Sequence, residues 1–217
     1  MVRGLGIHPQ SSCKHHEYGP ISRITLAQIL GLSQGAVSRI TSDLIYAGVI
    51  EETPMQSGQD NKLPKGFVRK ENPERRGRPQ TGLRVIKDAR TFVGMKINAT
   101  HISAVAVNAI GQIVTGCHDL PLEETSPENV VAVIKQLTTD CSDETVMTGL
   151  PRPCAIGISL GGHIFNDATV TFAPFLHWSR PVEISKMVRE ATGLPTGIYN
   201  DIDSLLVDAC WFGSGVG

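Results

Sequence analysis

Long apolar stretches are missing from this sequence, and their absence excludes several classes of protein. No run of about 18 apolar residues occurs, so no membrane-spanning helix is predicted. Residues 1–18 hold polar residues and histidines where a signal peptide would need an apolar stretch. The sequence therefore predicts a cytoplasmic protein without a membrane span.

Cysteine is scarce and scattered. The 217 residues contain five cysteines, at positions 13, 117, 141, 154 and 210, and no C-x-x-C pair. This number and spacing exclude a disulfide framework and a zinc knuckle, so buried or unreactive thiols are the simpler interpretation. The rest of the composition, 41% hydrophobic and 19% charged with a mean hydropathy of −0.03, is typical of a globular protein of one or two domains.

Charge is unevenly distributed along the chain. The formal net charge is only −1, yet residues 1–90 hold 14 Lys and Arg against 8 Asp and Glu. Residues 91–217 hold 6 basic against 13 acidic residues. A basic part is thus joined to an acidic part, and we expect the two to meet different partners.

Residues 22–50 contain two short helical patterns separated by a tight turn. The first is predicted to start with Thr25 as its N-cap and to stop at Gly31, and the second to start with Ser33 as its N-cap and to run to Gly48. The predicted inward residues are Leu26, Ile29 and Leu30 of the first helix and Ala36, Val37, Ile40, Leu44 and Ile45 of the second. The pattern predicts a helix-turn-helix, although unrelated small bundles also contain two helices joined in this way.

The outward face of the second helix is small, polar or basic, as in a helix that reads base edges in the major groove. Gln34 could pair with adenine, and Arg39 with guanine or a phosphate. Ser42 also faces outward. The predicted DNA-contacting residues of this helix are Ser33, Gln34, Gly35, Ser38 and Arg39.

Two short strands, 49–53 and 83–86, are predicted to pair as a wing behind this helix. The 29 residues between them, 54–82, carry seven basic against three acidic side chains and no hydrophobic period. Within them Arg75-Arg76-Gly77-Arg78-Pro79 resembles the core of an AT-hook, in which arginines enter a narrow, A·T-rich minor groove. Arg75, Arg76 and Arg78 are therefore predicted to contact DNA, and a solvated basic linker is the alternative.

From residue 91 the pattern changes to alternating strands and helices, which predicts an α/β fold. The predicted elements are strands at 92–98, 101–108 and 113–120, a helix opening at Ser126-Pro127-Glu128, a buried parallel strand at 154–160, a helix at 182–191, a strand at 196–199 and a helix opening at Asn200-Asp201.

The order of motifs resembles the ROK family of repressors, open reading frames and kinases. The matching segments are the helix-turn-helix, G-R-P (77–79), the strand with Gly94, G-I-S-L-G-G (157–162), A-P-F-L-H-W (173–178), G-L-P (193–195), N-D (200–201) and F-G-S-G-V-G (212–217). The resemblance implies an actin-like, ribonuclease-H-like fold. The implied organisation is an N-terminal extension (1–21), a winged helix-turn-helix domain (22–90) with the basic wing or linker 54–82, and the first, incomplete lobe of a sugar-kinase-like domain (91–217).

The resemblance breaks at the kinase motif. Family kinases carry D-x-G-G-T, which helps to hold the metal and the ATP phosphates, whereas this chain has Lys96-Ile97-Asn98-Ala99-Thr100. This departure implies that phosphoryl transfer is lost and that the chain is not an enzyme. Asn200-Asp201 persists, and by resemblance Gly161, Gly162, Asn200 and Asp201 would bind a sugar. A plain helix cap is the alternative role for Asn200-Asp201.

Two family motifs do not occur before Gly217: the E-x-G-H sugar motif and the cysteine-rich zinc site, roughly C-x-C-G-x-x-G-C-x-E. No zinc site or other cofactor is therefore predicted for this chain. The sequence is expected to be a fragment or a truncated product, and a sugar cleft formed between lobes would lack one wall.

The resemblance implies a sugar-responsive transcriptional regulator, most simply a repressor of carbohydrate-uptake or catabolic genes. Its implied partners are a double-stranded DNA operator and a sugar or sugar phosphate effector, and the full-length protein would be a homo-oligomer. Two alternatives stay open: a ROK-type sugar kinase with an N-terminal module, and a regulator controlled by a protein of the phosphotransferase system.

Overall fold

The computed structural model describes residues 20–55 and 81–205. The first part comprises β1 (Ile21–Ser22), α1 (Arg23–Leu30), α2 (Gln34–Tyr46), β2 (Ile50–Pro54) and β3 (Thr81–Val85). The three strands form an antiparallel sheet in the order β1-β3-β2. The helix-turn-helix and the wing are confirmed, and β1 is an additional strand that the sequence pattern does not predict.

The turn between the helices follows local sequence signals. Gly31 ends α1 in the left-handed conformation, with φ 63°, and Ser33 caps α2 by accepting a hydrogen bond from the Ala36 N–H at 3.2 Å. The prediction of Thr25 as the first N-cap is wrong. Ser22, which ends β1 with an extended backbone, caps α1 by accepting from the Thr25 N–H at 3.1 Å.

The buried stripe of the two helices is narrower than predicted. Ala27 and Val37 are buried, but Leu30, Ile40 and Leu44 are 55%, 47% and 37% exposed, so their predicted burial is wrong. Residues 20–55 and 81–90 contribute two helices and a small sheet, and these elements pack together along one narrow stripe, so few side chains of either helix are buried. Small polar residues occupy part of it: Thr25 and Thr41 are both buried.

The second part is built around a five-stranded mixed sheet. Its elements are β4 (Thr91–Ile97), β5 (His101–Asn108), β6 (His118–Pro121), α3 (Pro127–Met147), β7 (Pro153–Leu160), β8 (His163–Phe165), β9 (Thr169–Phe172), α4 (Ile184–Thr192) and β10 (Thr196–Asn200). Residues 201–205 are helical. The sheet order is β10-β7-β4-β5-β6; β4, β7 and β10 run parallel to one another, and β5 runs antiparallel to both of its neighbours, β4 and β6. This arrangement confirms the predicted ribonuclease-H-like fold.

Helices α3 and α4 cover one face of this sheet. Leu137 and Val188 from the helices pack in one core with alternate strand residues such as Ile97, Ile158 and Ile198. Ser126 caps α3 with Pro127 in the first turn, and Gly193 ends α4 at φ 75°, as the sequence predicts. No helix within the described ranges is long and apolar enough to cross a membrane.

Two features of this part differ from the predicted elements. The third strand is His118–Pro121 and not 113–120. The Thr115 hydroxyl accepts the hydrogen bond of the Ala106 N–H at 2.8 Å and so takes the place of a strand carbonyl, which interrupts the predicted strand. The hairpin of β8 and β9 was not predicted. It turns at Asn166 and Asp167, both with φ 52°, and this pair of residue types is a turn signal that the sequence contains.

Candidate functional site

The N-terminal half of α2 presents a polar surface to solvent. Ser33, Gln34, Gly35, Ser38 and Arg39 are all exposed, and so is Ser42. Arg39 takes part in no ion pair among the described residues. The surface has the residue types needed to contact base edges, and the role assigned to these residues stays a prediction.

The helix-turn-helix itself is close to electrically neutral. Residues 20–55 and 81–90 hold five basic and four acidic side chains. Three of the basic groups are paired: Arg23 lies 2.7 Å from Glu52, the Arg84 Nε donates to Glu51 at 3.0 Å across β2 and β3, and Lys87 lies 3.7 Å from Asp88. The basic excess therefore resides mainly in residues 56–80, which include Arg75, Arg76 and Arg78 and lie outside the described residues.

A second candidate site lies at the carboxyl ends of the parallel strands β4, β7 and β10, the edge of an α/β sheet where ligands usually bind. Asp201 follows β10 directly, and its carboxylate receives a donor from each of the other two strands. The Ser159 hydroxyl on β7 donates to Oδ1, and the Lys96 ammonium on β4 lies 3.4 Å from Oδ2. Three strands thus converge on one carboxylate.

The other three predicted sugar residues lie at the same edge. The Asn200 side chain donates to the Gly162 carbonyl at 2.6 Å, and its oxygen accepts from the Ile202 N–H at 2.8 Å. A Cβ on Gly161 would lie 3.7 Å from the Asp201 Oδ2, whereas a Cβ on Gly162 would lie 2.6 Å from the Phe172 carbonyl oxygen. Gly161 thus borders the carboxylate, Gly162 permits close packing of the hairpin, and Asn200 also caps the helix that follows.

The sheet face opposite α3 and α4 contains a cavity of about 470 Å³. Gly94, Gly157 and Gly197 are register partners on three adjacent strands, so this face has bare backbone along one row. Lys96 and Ser159 line the cavity at the end nearest Asp201, together with residues that include Tyr199, Asp203 and Ser204.

A separate polar cluster joins β6 to α3. The Glu144 carboxylate accepts from the Gly116 N–H at 2.9 Å and lies 2.7 Å from the His118 Nε2. The Gly116 hydrogen bond, with His118 in support, holds the pKa of Glu144 below its ordinary value. This cluster fastens the edge strand to the helix.

Two thiols lie close to this cluster. Burial, with Glu144 and Asp140 nearby, raises the pKa of the Cys141 thiol to about 11, and burial and Asp119 raise that of Cys117. Raised pKa values leave both thiols protonated at neutral pH, so neither is an activated nucleophile. Within the described ranges, no group of three or more His, Cys, Asp or Glu is arranged to hold a metal ion.

The contacts of Lys96 and Ser159 with Asp201 are what the sequence pattern missed. Lys96 is unusual in the sequence because it stands where family kinases have an aspartate, but its partner Asp201 lies 105 residues further along the chain. The signal that could have found this contact is position: Lys96 and Ser159 each lie one residue before the end of neighbouring strands, and Asp201 follows the third strand.

No protein-family model matches the chain. By sequence the chain is similar to the DNA-binding transcriptional repressor Mlc of Escherichia coli (strain K12), with 22% identity over 205 residues, or 93% of this chain and 46% of that protein. It is also similar to the xylose repressor of Bacillus subtilis (strain 168), with 25% identity over 189 residues, or 85% of this chain and 43% of that protein. The chain therefore spans less than half the length of these curated relatives.

Solved structures show the same fold. A ROK family transcriptional regulator, described as a homologue of the Escherichia coli MLC protein, matches with a TM-score of 0.63 and 23% identity over 89% of this chain and 45% of its own. The ROK hexokinase from Thermus thermophilus matches with a TM-score of 0.51 and 20% identity over 58% of this chain and 40% of its own. Regulators and kinases thus share this fold.

Within the family, the motif pattern resembles the Mlc-type regulators and the N-acetylglucosamine repressor. Both of these sequence relatives, Mlc and the xylose repressor, are transcriptional repressors. In sequence and in fold the chain resembles the transcriptional regulators of the ROK family, and the resemblance that its motif order predicts is confirmed.

Proposed function

We propose that this chain belongs to a sugar-responsive transcriptional repressor that binds double-stranded operator DNA of carbohydrate-uptake or catabolic genes. The observation that carries the proposal is the exposed N-terminal half of α2, with Gln34 and Arg39 facing outward beside a wing. A helix of this kind contacts base edges, while the basic segment 56–80 contributes phosphate or minor-groove contacts.

Operator binding tests the proposal. Fluorescence anisotropy should show that Arg39→Gln loses about 1–3 kcal/mol of binding free energy on the operator and relaxes the choice of base at one position. Arg152→Gln is the matched control, since Arg152 is an exposed arginine paired with Asp143 at 3.7 Å on the other part of the chain. An equal loss on every DNA sequence would show that Arg39 contacts only phosphates.

The effector site of the proposed repressor is the edge at Asp201. A carboxylate there accepts hydrogen bonds from sugar hydroxyls, and the Asn200 amide has a second N–H beyond the one that it gives to Gly162. Because one relative is named a xylose repressor, xylose is the first sugar to test and glucose the second. Release of operator DNA by one sugar and not by the other would identify the effector, and Asp201→Ala in the full-length protein should abolish the release.

We also propose that the protein does not phosphorylate sugars, although a ROK hexokinase shares its fold. The Asp201 carboxylate is engaged by the Lys96 ammonium at 3.4 Å, and Asn98 and Ala99 carry side chains where close approach of phosphates favours glycine. Turnover of ATP with xylose or glucose that Asp201→Asn abolishes would overturn this proposal.

Two further partners belong to the same proposal: a second copy of the protein and, in place of free sugar, a phosphotransferase-system protein. Sedimentation of the full-length repressor would show whether two copies associate. Release of operator DNA when the phosphotransferase-system protein is added, with no release by any sugar, would establish control by that protein.

A further inference from the structure

Asp201 differs from the other carboxylates of the described residues because donors from two neighbouring strands hold both of its oxygens. Lys96 on β4 and Ser159 on β7 are register partners, so their side chains stand side by side on the same face of the sheet. Asp201 meets both at the end of β10, one donor on each oxygen. The orientation of the carboxylate is therefore set by the sheet itself.

The carboxylate still has capacity for a ligand. A carboxylate offers about four acceptor sites, of which Lys96 and Ser159 use two, and an ammonium has three donors, of which Asp201 takes one. The side chain of Lys96 is 53% exposed and that of Asp201 28% exposed, so both groups are open to solvent at this edge. A hydroxyl that approaches from solvent would meet a fixed acceptor beside a fixed donor.

We propose that Lys96 is a positioning residue of the effector site: a built-in cation that fixes the Asp201 carboxylate for sugar hydroxyls, so that no bound divalent cation is needed there. This inference rests on the proposed effector function. The Lys96 ammonium balances the negative charge of the Asp201 carboxylate. The hydrogen bond from Ser159 sets the rotation of that carboxylate. The effector is bound by hydrogen bonds to a carboxylate whose position does not change when the ligand leaves.

The pair is suited to binding more than to stability. An exposed ion pair contributes little to folding because water and salt screen it. Replacing Lys96 should therefore leave the melting temperature nearly unchanged while it weakens binding of the effector. This difference separates a positioning role from a structural one.

The first experiment is calorimetric titration of the full-length protein with xylose and glucose, with and without added Mg²⁺. Lys96→Met should weaken effector binding by about tenfold or more, Lys96→Arg should restore most of the affinity, and Mg²⁺ should not change the affinity of the wild type. Lys186→Met is the matched control, because Lys186 is an exposed lysine that pairs with Glu183 at 3.7 Å on α4. Unchanged affinity in Lys96→Met, or wild-type affinity that depends on added Mg²⁺, would overturn the inference while the effector function stands.

The second experiment needs no sugar. Lys96→Asp places a second carboxylate beside Asp201, and millimolar Mg²⁺ or Ca²⁺ should relieve their repulsion and raise the melting temperature of this variant. The wild type and the double variant Lys96→Asp/Asp201→Asn should not respond. If Lys96→Asp does not respond either, the two side chains are not neighbours and the inference is wrong.

The two experiments separate the possible failures. If the wild-type protein binds no sugar, both the effector function and the role of Lys96 in it are wrong. A response of Lys96→Asp to Mg²⁺ would in that case show only that residues 96 and 201 are neighbours.

Discussion

Gly162→Ala is the substitution whose cost the geometry defines most directly. A Cβ at this position would lie 2.6 Å from the Phe172 carbonyl oxygen and 3.0 Å from the Leu160 Cδ1. The carbonyl belongs to the backbone of β9, so no side-chain rotation relieves the overlap. Overpacking of this kind costs about 1–3 kcal/mol. The shift should also move the Gly162 carbonyl away from the Asn200 amide that donates to it.

Urea unfolding measures this cost, with two neighbouring glycines as controls. A Cβ on Gly161 would have no contact closer than 3.7 Å, and one on Gly157 none within 4 Å. These two alanine variants should range from neutral to about 1 kcal/mol more stable, whereas Gly162→Ala should lower the urea midpoint by about 1 M. If Gly162→Ala unfolds at the same urea concentration as Gly161→Ala, the hairpin does not pack against this turn.

Three further predictions concern stability. Ser33→Ala should lower the unfolding free energy by about 1 kcal/mol, because α2 loses its N-cap, and thermal melting followed by circular dichroism should detect it; an unchanged melt would contradict the cap. Leu137→Ala, at a fully buried position of α3, should cost about 2–5 kcal/mol in urea, whereas the exposed Lys135→Ala should cost almost nothing, and equal effects would place Leu137 outside the core. The Gly116 N–H depresses the pKa of Glu144, so this carboxylate stabilises the fold above its unfolded-state pKa and the contribution is lost as pH falls through the folded-state pKa. The stability difference between the wild type and Glu144→Gln should therefore narrow below the ordinary value of 4.5, and a constant difference would refute it.

Elements with short-range signals could be predicted from the sequence. Ser33, Pro127 and Gly193 each act on backbone groups within four residues, so the sequence alone places those helix ends. Thr25 shows the limit of such signals. Both Ser22 and Thr25 are good caps, and the choice between them depends on β1, whose pairing with a strand some 60 residues away has no local signature.

The candidate site could be predicted only in part for the same reason. Asn200 and Asp201 are recognisable as a motif, and the parallel strands place them near Gly161 and Gly162. The ion pair with Lys96 depends on which strands are neighbours and on their register, because a shift of one residue would turn Lys96 to the other face of the sheet. Exposure of Leu30, Ile40 and Leu44 likewise depends on how many elements pack on the helices, which periodicity does not report.

In the proposed repressor, the charge distribution divides DNA recognition into two parts. The helix that carries Gln34 and Arg39 belongs to a nearly neutral unit in which Arg23 and Arg84 are paired with glutamates. A neutral unit gains little from counterion release, so its contribution to binding must come mainly from base contacts. The seven basic residues of segment 56–80 supply charge, and the resemblance of its residues 75–79 to an AT-hook implies a preference for narrow, A·T-rich minor grooves. The proposed function therefore assigns base readout to α2, and assigns the salt-dependent part of the affinity and the preference for A·T-rich flanks to the segment between the wing strands.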